Sequence, residues 1–328
     1  MPFAPGILVR SVVVFVLMLT WGASAQDSTP AVNDATPTVP PAALGMSYAS
    51  AYQACRTGCD AHRELSDLTP LNFFTEGWDE AWAHRHGDTP DMSLLRVTTN
   101  FLEREFRLDY VFTAVNNNAK EQDTQVGDGL IAYGINRRLM VEVVGSYQRN
   151  VPPSGYPTEN GAAVGAVLRF QLVDTPTGSY AFQYRLNTPN KGLGQTTTGM
   201  QYALAGWQNV TAWIPGLTRF GLYYSFQYEN LVGPHKATQT LNDFTYVISF
   251  ARTWTPANMP VIGDFTTFLE FAGVTNLDGS AAGTTISITP GIRFWFARNN
   301  SITFGIDFPL TTNPAYSVVY RLNYILNF

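Results

Sequence analysis

From about residue 98 onward, apolar and polar side chains alternate at every second position, stretch after stretch. In 315–328, Tyr316, Val318, Tyr320, Leu322, Tyr324, Leu326 and Phe328 share one face. Ser317, Val319, Arg321, Asn323, Ile325 and Asn327 share the other. Successive strand side chains point to opposite faces, so a period of two describes a two-sided strand. Phe220, Leu222, Tyr224, Phe226 and Tyr228 alternate in the same way with Gly221, Tyr223, Ser225, Gln227 and Glu229. So do Leu102, Phe106, Leu108, Tyr110 and Phe112 with Glu103, Glu105, Arg107, Asp109 and Val111. Each stretch is close to the ~10 residues that a tilted membrane-crossing strand requires. The pattern predicts strands at 98–114, 126–136, 139–149, 161–173, 178–188, 196–208, 218–230, 242–254, 264–275, 284–296, 300–308 and 315–328. That is about twelve, and bacterial single-chain barrels have even strand numbers. The fold expected is all-β, an antiparallel transmembrane barrel.

The connections between the strands differ in length in a regular way. If the first strand runs outward, tight turns such as Asn136–Arg138, Thr175–Thr177 and Ala297–Asn299 lie at the inner end. Longer segments rich in Gly, Pro and Asn, such as Asn150–Asn160 and Leu231–Leu241, lie at the outer end. Membrane barrels have this asymmetry. Asn209–Leu217 and Thr255–Gly263 are longer than the rule expects, and their Trp213 and Met259–Ile262 suit a membrane interface. A soluble sandwich would also alternate, but its strands average about five or six residues.

The chain before residue 98 reads differently. Arg10, the apolar run Ser11–Trp21 and the small-residue site Ala23-Ser24-Ala25 make 1–25 a signal peptide, with the mature chain starting at Gln26. Residues 26–43, rich in Pro, Thr and Ala, cannot bury a core and read as a disordered linker. Residues 44–97 form a periplasmic or plug-like lead-in. Its stretch Leu71–Trp82 either plugs the barrel or covers its base with the aromatics against the wall. Cys55 and Cys59 are a disulfide, two free thiols or, with His62, a weak metal cluster lacking a fourth ligand. Only 14% of residues are charged and 13% are aromatic, which suits a lipid-facing surface. A net charge of −5 gives no argument for nucleic acid.

The alternating strand that ends in Phe328 resembles the closing strand of Gram-negative outer-membrane β-barrels. That resemblance implies an outer-membrane location, contact with lipid, and reading of Tyr324, Leu326 and Phe328 by the barrel-assembly machinery. The whole arrangement of leader, acidic-aromatic lead-in and strand array also resembles the outer-membrane barrels associated with meta-pathway phenol degradation. This second resemblance implies passage of hydrophobic or aromatic compounds, and no functional residue carries over from it.

The chemistry on offer lies on the polar face. Glu103, Glu105, Arg107, Asp109, Glu142, Arg169, Arg185, Glu229, Glu270, Arg293, Asp307 and Arg321 are the expected lumen-lining charges, with Tyr223 and Trp295 as aromatic companions. Buried charges persist when paired, so mixed signs point to a salt-bridged interior around a narrow path or none. A hydrolase needs a nucleophile and base on neighbouring strands, yet His62, His84, His86 and His235 all fall outside the predicted strands. His235 with Asp243 at the outer rim is the one residual pairing. No catalytic site, metal or cofactor is expected. The reading is a channel or transporter for small solutes. Its alternatives are a non-conducting structural or adhesive barrel and, further off, a barrel hydrolase.

Overall fold

The computed structural model describes residues 92–114, 123–151, 158–175, 177–214, 216–235, 240–255, 262–279, 283–297, 300–311 and 316–328. The expected leader (1–25) and linker (26–43), Leu71–Trp82, Cys55, Cys59, His62, His84 and His86 lie outside these residues. The strands in order are β1 (Arg104–Ala114), β2 (Asp123–Gly134), β3 (Leu139–Val151), β4 (Glu159–Thr175), β5 (Gly178–Asn187) and β6 (Thr198–Asn209). Then follow β7 (Phe220–Val232), β8 (Asn242–Thr253), β9 (Gly263–Asn276), β10 (Gly283–Ala297), β11 (Asn300–Pro309) and β12 (Val318–Asn327). Each pairs antiparallel with its neighbours in sequence, and β1 pairs with β12 from Glu105–Asn327 to Ala114–Val318. One sheet thus closes on itself as a twelve-stranded barrel, with no free edge left to pair with another chain.

Burial alternates along the wall with the sense opposite to that of a soluble protein. Ile131 is 57% exposed beside Ala132 at 0%, and Phe271 is 39% exposed beside Glu270 at 0%. Large apolar side chains cover the outside and charged ones are inside, as a barrel in lipid requires. Aromatics mark both ends of the outer face. Near the β1 start, Arg104 lies 4.4 Å over the Tyr133 ring, and Arg252 lies 4.1 Å over Trp254. Long basic side chains stacked on aromatic rings suit a headgroup boundary. Towards the other end, Phe112 and Tyr320 stack at 6.2 Å.

The connections at the end expected to face inward are 135–138, 176–177, 210–219, 254–262 and 298–299. In the first, the Asn136 side chain accepts from the backbone of Arg138 and Leu139 at 2.8 Å each, a local closure that asparagine favours. Trp213 and Ile214 stand exposed in the longer 210–219 turn. At the opposite end, Asp278 Oδ1 accepts from the backbone amides of Leu241 (2.7 Å) and Asn242 (3.1 Å), and Oδ2 accepts from the Asn242 side chain. These bonds, the Asn242 side chain first, hold the Asp278 carboxyl below the ordinary carboxylate range and tie two loops of that end together.

Cysteine at Gly279 is expected to react with an impermeant thiol reagent on intact cells, and cysteine at Thr218 to be protected until the envelope is opened. The reverse pattern would turn the barrel over in the membrane.

The first strand starts at Arg104, later than the 98 that the alternation suggests. Residues 92–103 lie inside the barrel. Leu102 is therefore not on the lipid face with Phe106. It is 4% exposed, packed with Leu130, Ala132, Met140, Val144 and Val167 on the interior side. Leu102 and Glu103 continue the alternation of β1 by two residues only, which does not separate a wall strand from a segment enclosed by the wall.

Candidate functional site: the barrel interior

Three things meet inside the wall: paired charges, a folded-in segment and a cavity. The segment comes first because it decides what the charges face. Met92, near Arg293 of β10, begins it; the Arg293 guanidinium lies 3.5 Å from Met92 Sδ. It rises to mid-height of β9, where Glu270 Oε1 accepts from the backbone N–H of Arg96 (3.1 Å) and Val97 (3.2 Å). It then descends. The Thr98 amide donates to Ser225 Oγ of β7 at 3.2 Å, and the Asn100 carbonyl accepts from Ser179 Oγ of β5 at 3.2 Å. The Phe101 carbonyl accepts from Arg169 of β4 at 3.0 Å. Ser93 and Thr99 hydroxyls meet at 3.1 Å and bridge the two limbs. Leu95 reaches over Gly305 of β11, where a Cβ would collide with its Cδ1. An irregular backbone in a membrane barrel must find its partners within the protein, and the inward side chains supply them.

Arg96 is the polar anchor of this loop. Its guanidinium is 3.4 Å from Asp307 Oδ2 and also bonds Ser287 Oγ. Asp307 is shared: Arg321 Nε reaches Oδ2 at 2.8 Å, and Thr289 Oγ1 donates to Oδ1 at 2.6 Å. The apolar residues of the segment fill the rest. Met92, Leu94 and Val97 pack with Trp207, Tyr223, Val247, Ala251, Phe268 and Ala272. Tyr223, 1% exposed, is covered by the protein's own chain, so its ring does not face an open lumen. Trp295 lies under the Arg293 guanidinium at 5.2 Å.

The other charges divide by height. Low in the barrel, Arg169 Nη2 sits 3.5 Å from Glu142, and Arg169 also donates to the Gln183 amide oxygen at 2.9 and 3.1 Å. Glu105 is buried on the same side, paired in register with Ala132 and Asn327. Glu103, just before β1, takes the Gly134 amide on its carbonyl at 3.1 Å. Higher up, Arg107 Nε meets both oxygens of Asp109 at 3.0 and 2.8 Å. Arg185 and Glu229 stand apart from these pairs. Both line a cavity of about 310 Å³, together with Ser146, Gln148, Asn187 and Asn190.

Several contributors are not marked by charge alternation: Arg96, Ser93, Asn100 and Gln183. Arg96 carries the one available signal, a lone cation in the run Met92–Val97 just before the strands begin. His235 is exposed at the outer rim with Nδ1 2.9 Å from the Gly233 carbonyl, while Asp243 is in register with Glu229. Among the described residues, no three His, Cys, Asp or Glu side chains gather to hold a metal ion.

No protein-family model matches the chain, and no curated protein matches it. Among solved structures, the COG4313 outer membrane channel from Pseudomonas putida F1 is similar over 71% of this chain and 97% of its own, at 9% identity and a TM-score of 0.50. The KdgM porin is similar over 68% of this chain and 99% of its own, at 12% identity and a TM-score of 0.43. The β domain of the Bordetella autotransporter BrkA follows at 69% and 99%, with 10% identity and a TM-score of 0.47. The likeness is one of fold. The chain has the fold of a Gram-negative outer-membrane β-barrel.

Proposed function

We propose that the protein is an outer-membrane channel for small polar solutes, closed on its inner side by its own 92–103 segment. The observation that carries this reading is the polar cavity above that segment. A merely structural barrel has no need of a cavity lined by Arg185, Glu229, Gln148 and Asn187, since each polar group kept there costs desolvation. Residues 92–101 are held by hydrogen bonds to inward side chains, the Arg96–Asp307 ion pair and apolar packing rather than by ladder pairing, so they can leave without unzipping the wall. The hydrophobic or aromatic cargo implied by the phenol-degradation resemblance finds little in this lining; its apolar members are Val144, Ala163, Val164 and Leu231. In the same reading, the outward face Tyr324, Leu326 and Phe328 is what the assembly machinery would meet.

The test is flux. The full chain in lipid vesicles is expected to admit small polyols and amino acids and to exclude large sugars. Vesicles that stay as tight as protein-free ones, with the barrel verified as folded, would return the protein to the non-conducting class.

A further inference from the structure

We propose that the cavity is a binding subsite for small zwitterions, in which Arg185 takes a carboxylate and Glu229 an ammonium group. The proposal deepens the channel reading and rests on it. Arg185 is in register with Gln201, and Gln201 with Glu229, so the two opposite charges sit in one row with a single strand between them. Adjacent strands are about 4.8 Å apart, which puts the two backbones roughly 10 Å from one another. Among the described residues, neither charge has an oppositely charged partner at ion-pair distance, unlike Arg107, Arg169 and Arg321. Arg185 Nε donates to Asn187 at 2.8 Å, which fixes the guanidinium and leaves its Nη groups for a ligand. Glu229 Oε1 lies where a Cβ at Gly199 would be only 2.8 Å away, so glycine makes the space that the carboxylate occupies. Asp243, in register with Glu229, deepens the negative side. Asn190 adds a buried amide oxygen that has no donor among the described residues.

The field therefore points across the cavity, from the Arg185 wall to the Glu229 wall. An anion is drawn to one side and repelled by the other, and a cation meets the reverse. A neutral polyol leaves both charges without a counter-charge. A zwitterion satisfies both at once, and its ammonium carries several donors for Glu229 and the Asn190 oxygen. Selection here comes as much from what each wall repels as from what it attracts. At about 30 Å³ per water, the cavity holds roughly ten waters, room for a small amino acid.

Calorimetry on the full chain in micelles, with L-glutamine, xylitol, glutarate and putrescine as probes, reads the preference directly. Glutamine is expected to bind at least about tenfold more tightly than the other three, the worth of one charge-assisted contact. Arg185→Gln and Glu229→Gln should each lose about that factor. The exchange Arg185→Glu with Glu229→Arg should regain most of it, because a zwitterion can turn round; this separates lost binding from lost folding. Xylitol bound as well as glutamine, or an exchanged pair no better than the single variants, overturns the subsite. Vesicle flux separates the two readings. Glutamine binding without flux of any solute leaves the subsite and removes the channel. Flux of all four probes without preference in binding does the opposite.

Discussion

A chain shortened to begin at Leu102 behind its leader is expected to conduct ions severalfold better than the full chain in planar bilayers. The reason lies in what residues 92–101 occupy. With them present, the inward residues of the inner half are buried, from Glu105 and Glu142 to Ser249 and Thr303. Removing them frees the space lined by Glu270, Ser225 and Ser179 and leaves every ladder bond of the wall in place. A complementary variant holds the segment in. Thr98→Cys with Ser225→Cys, in a background lacking Cys55 and Cys59, joins positions whose backbone amide and side-chain oxygen are already 3.2 Å apart. The oxidised form should be silent, and reductant should restore conductance. A truncated chain that conducts no better than the full one would mean the obstruction lies elsewhere.

Replacing Arg169 with Met is expected to cost about 3–5 kcal/mol in urea unfolding from vesicles. The residue is 5% exposed and serves four partners: the Glu142 carboxylate, the Gln183 amide, the Phe101 carbonyl and the Met140 sulfur. Without it, buried Glu142 keeps only the more distant charges of Arg107 and Arg185, and this loss of its contacting partner is where most of the penalty arises. Adding Glu142→Leu should therefore recover most of the loss, because an apolar pair of similar volume is often as stable as a buried ion pair. An Arg169→Met barrel as stable as the natural one would show that water reaches Glu142, and that the inner half is wetter than its packing implies.

The strand number, the antiparallel order and the face turned to lipid were legible along the chain, because alternation is a local property. Phe220–Tyr228 and Tyr316–Phe328 announce their two sides with no knowledge of what they pair with. The Gly, Pro and Asn segments between strands set the turns for the same reason. Closure was implied once every strand had an apolar outer face and lipid offered no partner for a free edge.

What the tertiary structure alone decided is which charge meets which, and what fills the middle. Arg96 and Asp307 are far apart in sequence and meet only because the segment before β1 folds back into the barrel. Arg169 finds Glu142 through the register of β3 with β4. Arg185 and Glu229 share a row only because Gln201 lies between them. Each outcome depends on register, which sums over a whole strand pair and cannot be read from one strand. Residues 98–103 show the limit most clearly. Only Leu102 and Glu103 continue the two-sided pattern below β1, too short a run to tell a segment enclosed by the wall from a strand within it.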